Sequence, residues 1–135
     1  MLGDRRGQFE LLAEPGRFLA ADCMTLLTSV VGSAVRDGQL WHYLDDGLYG
    51  SYSNVMTEDV HPPVLAVGEL TGADPVLEPV TLAGPTCDSA DVIARGYPMP
   101  ALGVGDLLIS PMMGAYTSVT ASRFNGIGPT PVVMA

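Results

Sequence analysis

The chain has 135 residues, 47% of them hydrophobic, and a net charge of −9. That length and apolar fraction exclude a disordered chain and allow one domain with a buried core. The acidic balance excludes a nucleic-acid binder, which needs clustered Lys and Arg, and no run approaches the roughly 20 apolar residues of a membrane-spanning helix.

Sixteen glycines and eleven prolines are scattered without a period, which favours short strands joined by turns. Residues 8–13, QFELLA, predict a buried strand that delivers the loop EPGR. From 18 to 35, FLAADCMTLL leaves helix and strand open, whereas TLLTSVVGSAV leans to strand through its Thr and Val content. Asp37-Gly38 then predicts a hairpin turn, with LWHYL as the return strand leading into DDGLYGSYS. Residues 59–79 are proline-rich and predict a surface loop. VLEPVTLAG (76–84) is predicted to pair with DLLIS (106–110). A last hairpin is predicted from AYTSVTASRF through Asn125-Gly126 to TPVVMA.

The sum is a mainly β domain, a small Greek-key-like β-barrel with one or two short helices. The first strand-then-loop unit fits that picture less well. Such units are typical of the end of an α/β-barrel strand, so the chain is expected to begin partway through a larger architecture.

Few residues carry chemistry. The cysteines are Cys23 and Cys87, read as free thiols. The N-terminal MLGDRRGQFELL lacks the pattern of a signal peptide, and a cytoplasmic protein is expected by default. His42 and His61 stand alone and there is no CxxC, so no metal site is expected. All six basic residues are arginines, and the chain contains no lysine. Chemistry through a lysine Schiff base cannot be completed by these residues.

GPTCDSAD (84–91) sets Cys87 beside Asp88 and Asp91. A carboxylate discourages a neighbouring thiol from becoming a thiolate, so the pair suits a proton donor beside a cation-holding Asp. A helix over DSADVIA with Asp88 or Ser89 as its N-cap is an alternative that the sequence leaves open.

Four blocks occur in order: AEPGRFLA (13–20), DDGLYGSY (45–52), GPTCDSAD and GAYTSVTASRFNG (114–126). Together they resemble the C-terminal part of the pyridoxal-phosphate-dependent ornithine/diaminopimelate/arginine decarboxylases, in their ornithine branch, from about Phe9 to the end. Diaminopimelate decarboxylases carry Glu after the motif cysteine, where this chain has Asp88. The resemblance implies that residues 1–23 are the tail end of a (β/α)8 cofactor-binding barrel and 24–135 the C-terminal β-domain. The anchoring lysine and the glycine-rich phosphate loop would lie in the barrel. The implied activity is decarboxylation of a basic amino acid, L-ornithine to putrescine in polyamine biosynthesis, in active sites shared across a homodimer. A non-catalytic domain that binds and regulates decarboxylase subunits is the alternative.

The resemblance also implies residue roles. Glu14 would pair with the pyridine nitrogen of pyridoxal 5'-phosphate, keeping the ring an electron acceptor. Pro15 and Gly16 would let the backbone approach the cofactor, and Arg17 and Tyr116 would hold its phosphate. Cys87 would donate the proton that replaces the departing carboxylate, and Asp88 would accept the distal ammonium of the substrate. Tyr49 and Phe124 correspond to aromatic positions at the family's dimer interface, with core packing as the alternative; Asp91 reads as structural or interfacial. Where the family usually has an aromatic residue followed by Asp, this chain has Thr57 and Glu58, or Asp59 after a one-residue slip. The longer carboxylate would shorten the pocket and shift preference among diamino acids. Cys23, Trp41, His42 and the seven methionines are assigned to packing, and Asp45 and Asp46 to a turn.

Overall fold

The computed structural model describes residues 3–72 and 74–134. Met1 and Leu2, in the N-terminal segment, Ala73, in the proline-rich stretch, and Ala135, in the last predicted hairpin, lie outside the described residues. Six strands form one sheet: β1 (Leu26–Arg36), β2 (Gln39–Leu44), β3 (Leu65–Ala66), β4 (Glu78–Ala83), β5 (Val92–Met99) and β6 (Leu107–Ser110). Their order is β3-β6-β1-β2-β4-β5, and every pairing is antiparallel except that of β2 with β4. The α-helices among the described residues are short, α1 (Arg17–Ala20) and α2 (Ser53–Glu58), with 3-10 segments of three to six residues elsewhere. Among the described residues, no helix is long and apolar enough to cross a membrane.

β1 organises the sheet because it serves two partners. Its first half, Leu26 to Ser29, pairs with β6, and its second half, from Val30, pairs with β2. The register shifts between Val30 and Gly32, and a bulge there bends the strand from one partnership to the other. At its far end Asp37 (φ 51°) and Gly38 (φ 76°) turn the chain back into β2. Both positive angles are what a two-residue I′ hairpin demands, as Asp-Gly predicts.

The sheet curls round a core of Leu26, Val30, Leu44, Tyr52, Val64, Val80, Leu82, Ile93, Met99, Leu108 and Met113. The Tyr52 hydroxyl is fully buried and meets Ser110 Oγ at 2.8 Å, so its polar end is satisfied inside the apolar core. His42 is also buried, bonded through Nδ1 to Ser33 Oγ at 2.7 Å, and burial lowers its affinity for a proton.

Several predicted elements differ. Residues 8–13 form no strand; Phe9, Leu11 and Leu12 are exposed, and no neighbouring strand completes a ladder with them. β4 and β6 both exist but do not pair: β4 lies between β2 and β5, and β6 between β1 and β3. The true partner of β4 is β5, VIARGYPM, hidden from sequence reading by Gly96 and Pro98. An edge strand tolerates both, because its outer N–H groups have no ladder to complete. DSADVIA is therefore a turn entering a strand and no helix. Asn125-Gly126 does take positive φ, 56° and 75°, but within a 3-10 turn that no strands flank. Met56, Met112 and Met134 are exposed, as is Cys23, while Met99 and Met113 belong to the core.

Candidate functional site

The chemistry-bearing residues gather in two places. The first is built where the N-terminal segment docks on the segment after β6. Met113 N–H donates to Met24 O at 2.9 Å and Gly114 N–H to Ala21 O at 2.9 Å. A Cβ on Gly114 would run into the Ala20 carbonyl, so this close approach needs glycine. The docking brings Arg17 to Tyr116. The guanidinium carbon lies 5.2 Å from the centre of the Tyr116 ring, close enough for a cation–π contact. Arg17 also donates to Ala115 O at 3.5 Å and forms an ion pair with Glu58 of α2.

Tyr116 sits at φ 55°, an uncommon angle for a bulky residue. Its neighbourhood fixes the angle. Ser53 Oγ bonds to Thr120 Oγ1 at 2.6 Å and reaches the Tyr116 and Thr117 carbonyls, while Thr117 Oγ1 donates to Met113 O at 2.5 Å. The Tyr116 hydroxyl ends 3.4 Å from where a Cβ on Gly16 would stand. An arginine fork, a phenol hydroxyl and a glycine without a side chain thus face one another. An arginine fork and a phenol hydroxyl are two kinds of donor that suit a phosphate group. Glu14 and Pro15 precede it on an exposed stretch, and Glu14 has no hydrogen-bond partner among the described residues.

The second place is the loop between β4 and β5. Asp91, 2% exposed, accepts Leu48 N–H at 2.8 Å, Thr86 N–H at 3.1 Å and the Thr86 hydroxyl at 2.7 Å. A Cβ on Gly47 or Gly84 would collide with this carboxylate. Asp91 therefore clips GPTCDSAD to the DDGLYG turn from inside. Asp46 does the same within that turn, accepting Gly47 N–H at 2.7 Å, Ser51 N–H at 2.8 Å and Thr130 Oγ1 at 2.6 Å.

On this frame Cys87 is exposed and Asp88 half-buried. Asp88 Oδ2 accepts the Tyr49 hydroxyl and Oδ1 accepts Ala90 N–H at 2.9 Å. The Tyr49 bond first, then that of Ala90, holds the Asp88 carboxyl below the usual carboxylate range, and the same carboxylate pushes the Tyr49 hydroxyl up. Tyr49 stacks on Phe124 with ring centres 4.3 Å apart. Asn125, read in sequence only as half of a turn, donates from Nδ2 to Cys87 Sγ at 3.3 Å.

The structure thus gathers Gly16, Arg17, Glu58 and Tyr116 into one cluster, and Tyr49, Cys87, Asp88, Phe124 and Asn125 into another. Glu58 meets Arg17 and not Asp88, and the Thr57 hydroxyl is turned back to Ser53 O at 3.0 Å. Among the described residues, no side-chain hydrogen bond or ion pair joins the two clusters directly.

A polar cluster around Arg17 and Tyr116 and a thiol–carboxylate loop, both carried on a curled β-sheet, are the features of a C-terminal sheet domain. The model of the pyridoxal-dependent decarboxylase C-terminal sheet domain matches residues 17–114, and the chain belongs to that family, which depends on pyridoxal phosphate. It is 38% identical over 121 residues to a lysine/ornithine decarboxylase of Selenomonas ruminantium, a match covering 90% of this chain and 30% of the relative. A crystal structure of lysine/ornithine decarboxylase from Vibrio vulnificus, complexed with cadaverine, superposes with a TM-score of 0.80 at 49% identity, over 88% of this chain and 31% of that one. An antizyme inhibitor 2 of Xenopus laevis is 35% identical over 136 residues, covering 91% of this chain and 29% of that protein. The chain spans about 30% of the length of the curated relatives it matches.

Proposed function

We propose that this domain is the C-terminal part of a pyridoxal-phosphate-dependent decarboxylase acting on a basic diamino acid, ornithine or lysine, and that it serves two active sites of a homodimer. The observation that carries the reading is the separation of two chemically distinct half-sites on one chain. One offers donors to an anion; the other offers a thiol and an oriented carboxylate. In a two-fold assembly each half-site would be completed by the copy opposite.

Pyridoxal phosphate, when bound, supplies a ring that accepts the electrons released as the carboxylate departs. Arg17 and Tyr116 would hold its phosphate by a charged fork and a hydroxyl, and Glu14 would reach its pyridine nitrogen. Glu58, by pairing with Arg17, would keep the fork extended. Cys87 would deliver a proton to the substrate α-carbon. Asp88, kept ionised by Tyr49 and Ala90, would take the distal ammonium through a charge-assisted hydrogen bond. With neither Thr57 nor Glu58 directed to Asp88, chain length is read chiefly at Asp88, which favours tolerance of both ornithine and lysine. Putrescine and cadaverine would be the products, formed in the cytoplasm, where thiols stay reduced.

The test is Cys87→Ala in the complete polypeptide. Turnover falls by at least about 100-fold, the usual weight of a general acid, with cofactor retention unchanged. Undiminished turnover would remove Cys87 from the reaction. The match to an antizyme inhibitor supports a second reading, a non-catalytic inhibitor-like binding domain. On that reading the complete polypeptide shows no decarboxylation with either diamino acid, and Cys87→Ala leaves its binding intact.

A further inference from the structure

The thiol of Cys87 is exposed, yet it is not free to turn at random. Asn125 Nδ2 donates to Cys87 Sγ at 3.3 Å, across 38 positions of sequence. The residue that makes this bond is itself held tightly. Asn125 stands at φ 56°, ψ 17°, the left-handed conformation that Asn adopts more readily than most residues. On one side Phe124 stacks on Tyr49, and Ser122 is bonded to the Tyr49 carbonyl through both N–H (2.8 Å) and Oγ (3.1 Å). On the other, Gly126 N–H closes on Arg123 O at 3.0 Å and Ile127 N–H on Phe124 O at 3.2 Å. The same Tyr49 fixes Asp88, the residue after Cys87. The turn at 122–127 and the loop at 84–91 are therefore tied to each other at Tyr49 and again at the thiol.

We propose that Asn125 is a positioning residue for Cys87, orienting its sulfur and stabilising the thiolate left after proton delivery. The proposal rests on the decarboxylase reading above. An amide N–H directed at sulfur occupies an acceptor position, so the S–H bond must point elsewhere, away from Asn125. As the carboxylate leaves as carbon dioxide, its bonding electron pair stays with the α-carbon. That pair takes the thiol proton: the S–H bond breaks, a C–H bond forms, and sulfur keeps the negative charge. The Asn125 N–H then donates to a charged acceptor, and such a bond is stronger than one to the neutral thiol. Solvent returns the proton to sulfur before the next turnover. Asp88, the next residue in the chain, cannot take this role, because as a carboxylate it has no proton to donate and repels the charge.

The test uses the complete polypeptide with Asn125→Gly and Asn125→Asp. Glycine accepts the positive φ of this position and removes only the donor; aspartate keeps the shape and adds a repelling charge. Two readouts are followed: steady-state kinetics with ornithine and lysine, and site-resolved alkylation of Cys87 by iodoacetamide, with Cys23 of the same molecules as the internal reference. The expected result is a fall in kcat of roughly 5- to 30-fold for Asn125→Gly and more for Asn125→Asp, with KM and cofactor retention little changed. Alkylation of Cys87 slows several-fold in both variants while that of Cys23 does not. Unchanged kcat together with unchanged Cys87 alkylation in Asn125→Gly overturns the inference. Full turnover in Cys87→Ala removes Cys87, and with it the thiolate Asn125 would stabilise, from the reaction; no turnover in the unaltered polypeptide overturns the decarboxylase reading instead, and the alkylation rate, which needs no turnover, still reports whether Asn125 acts on the thiol.

Discussion

The phenol of Tyr49 donates a hydrogen bond to Oδ2 of Asp88, 39 positions further along the chain. One consequence is that two groups titrate away from their ordinary values in opposite directions. The Asp88 carboxyl is lowered on folding, so its contribution to stability is complete above the ordinary carboxylate value of about 4 and is lost as pH falls through its depressed value. The Tyr49 hydroxyl is raised, so its contribution is complete below the ordinary tyrosine value of about 10 and is lost as pH rises through the shifted one. Tyr49→Phe keeps the stack on Phe124 and removes the bond. The Asp88 carboxyl, followed by carbon NMR, then moves up toward the ordinary range. In the complete polypeptide KM for the diamino acid rises roughly 5-fold with little change in kcat. An unmoved Asp88 titration would show that the phenol does not control it.

Tyr52 gives a second pH prediction. Burial pushes its hydroxyl up to about 12, partly offset by the bond to Ser110. A raised value means stability that is full below about pH 10 and is lost as pH rises toward 12, because ionisation would leave a charge in the core. Tyr52→Phe removes this alkaline loss but leaves the buried Ser110 hydroxyl without that partner, costing about 1–2 kcal/mol at neutral pH. Urea unfolding at pH 7 and circular dichroism from pH 9 to 12.5, steps of about 0.5, measure both effects. The variant is weaker at pH 7, and the gap narrows as pH rises.

How far these relationships could be read from the sequence depends on how local they are. Asp37-Gly38 specifies its hairpin because its two positive φ angles sit directly between two strands that pair with each other. Asn125-Gly126 carries the same signal and meets it with positive φ, yet makes no hairpin; no flanking run finds a strand partner. The pairing of β4 was misread for a related reason. Glu78–Ala83 is a clear strand, but its parallel neighbour β2 and its antiparallel neighbour β5 are chosen by the curl of the whole sheet. At the candidate sites, the two clusters draw on residues of EPGR, GPTCDSAD and GAY. What stayed hidden were contacts made across the fold: Glu58 on Arg17, Ser53 beneath the Tyr116 backbone, Asn125 on Cys87. A side chain that acts by reaching 38 or more positions away leaves no local pattern to find.

Asp91 is predicted to hold the Cys87 loop in shape from inside the fold. It is buried and accepts three hydrogen bonds, two from Thr86 and one from Leu48. Asp91→Asn replaces one carboxylate oxygen by an amide that points its own donors at those donors. The expected cost is about 1.5–3 kcal/mol, since the lost bonds are charge-assisted. Thermal unfolding measures it, and amide exchange at Leu48 and Thr86 shows whether the loss is local. Protection unchanged at both would mean that Asp91 does not clip the loop.

Gly114→Ala tests the docking that brings Arg17 to Tyr116. Its new Cβ would overlap the Ala20 carbonyl and stand 2.6 Å from Cys23 Sγ. The cysteine can rotate aside, but the carbonyl is backbone and cannot. The segment from Met113 must then move off residues 20–24, breaking the two 2.9 Å bonds from Met113 and Gly114. Tyr116 follows, because Thr117 ties it to Met113. The anion clamp opens while the Cys87 loop, held separately by Asp91, stays in place. Amide protection at positions 113 and 114 should therefore fall, and retention of pyridoxal phosphate by the complete polypeptide should weaken about 10-fold, the effect of losing one charged donor contact. Cys87 alkylation should be unaffected. If cofactor retention and Cys87 alkylation fell together, the two half-sites would be coupled through the sheet, and the independence of the two clusters would be wrong.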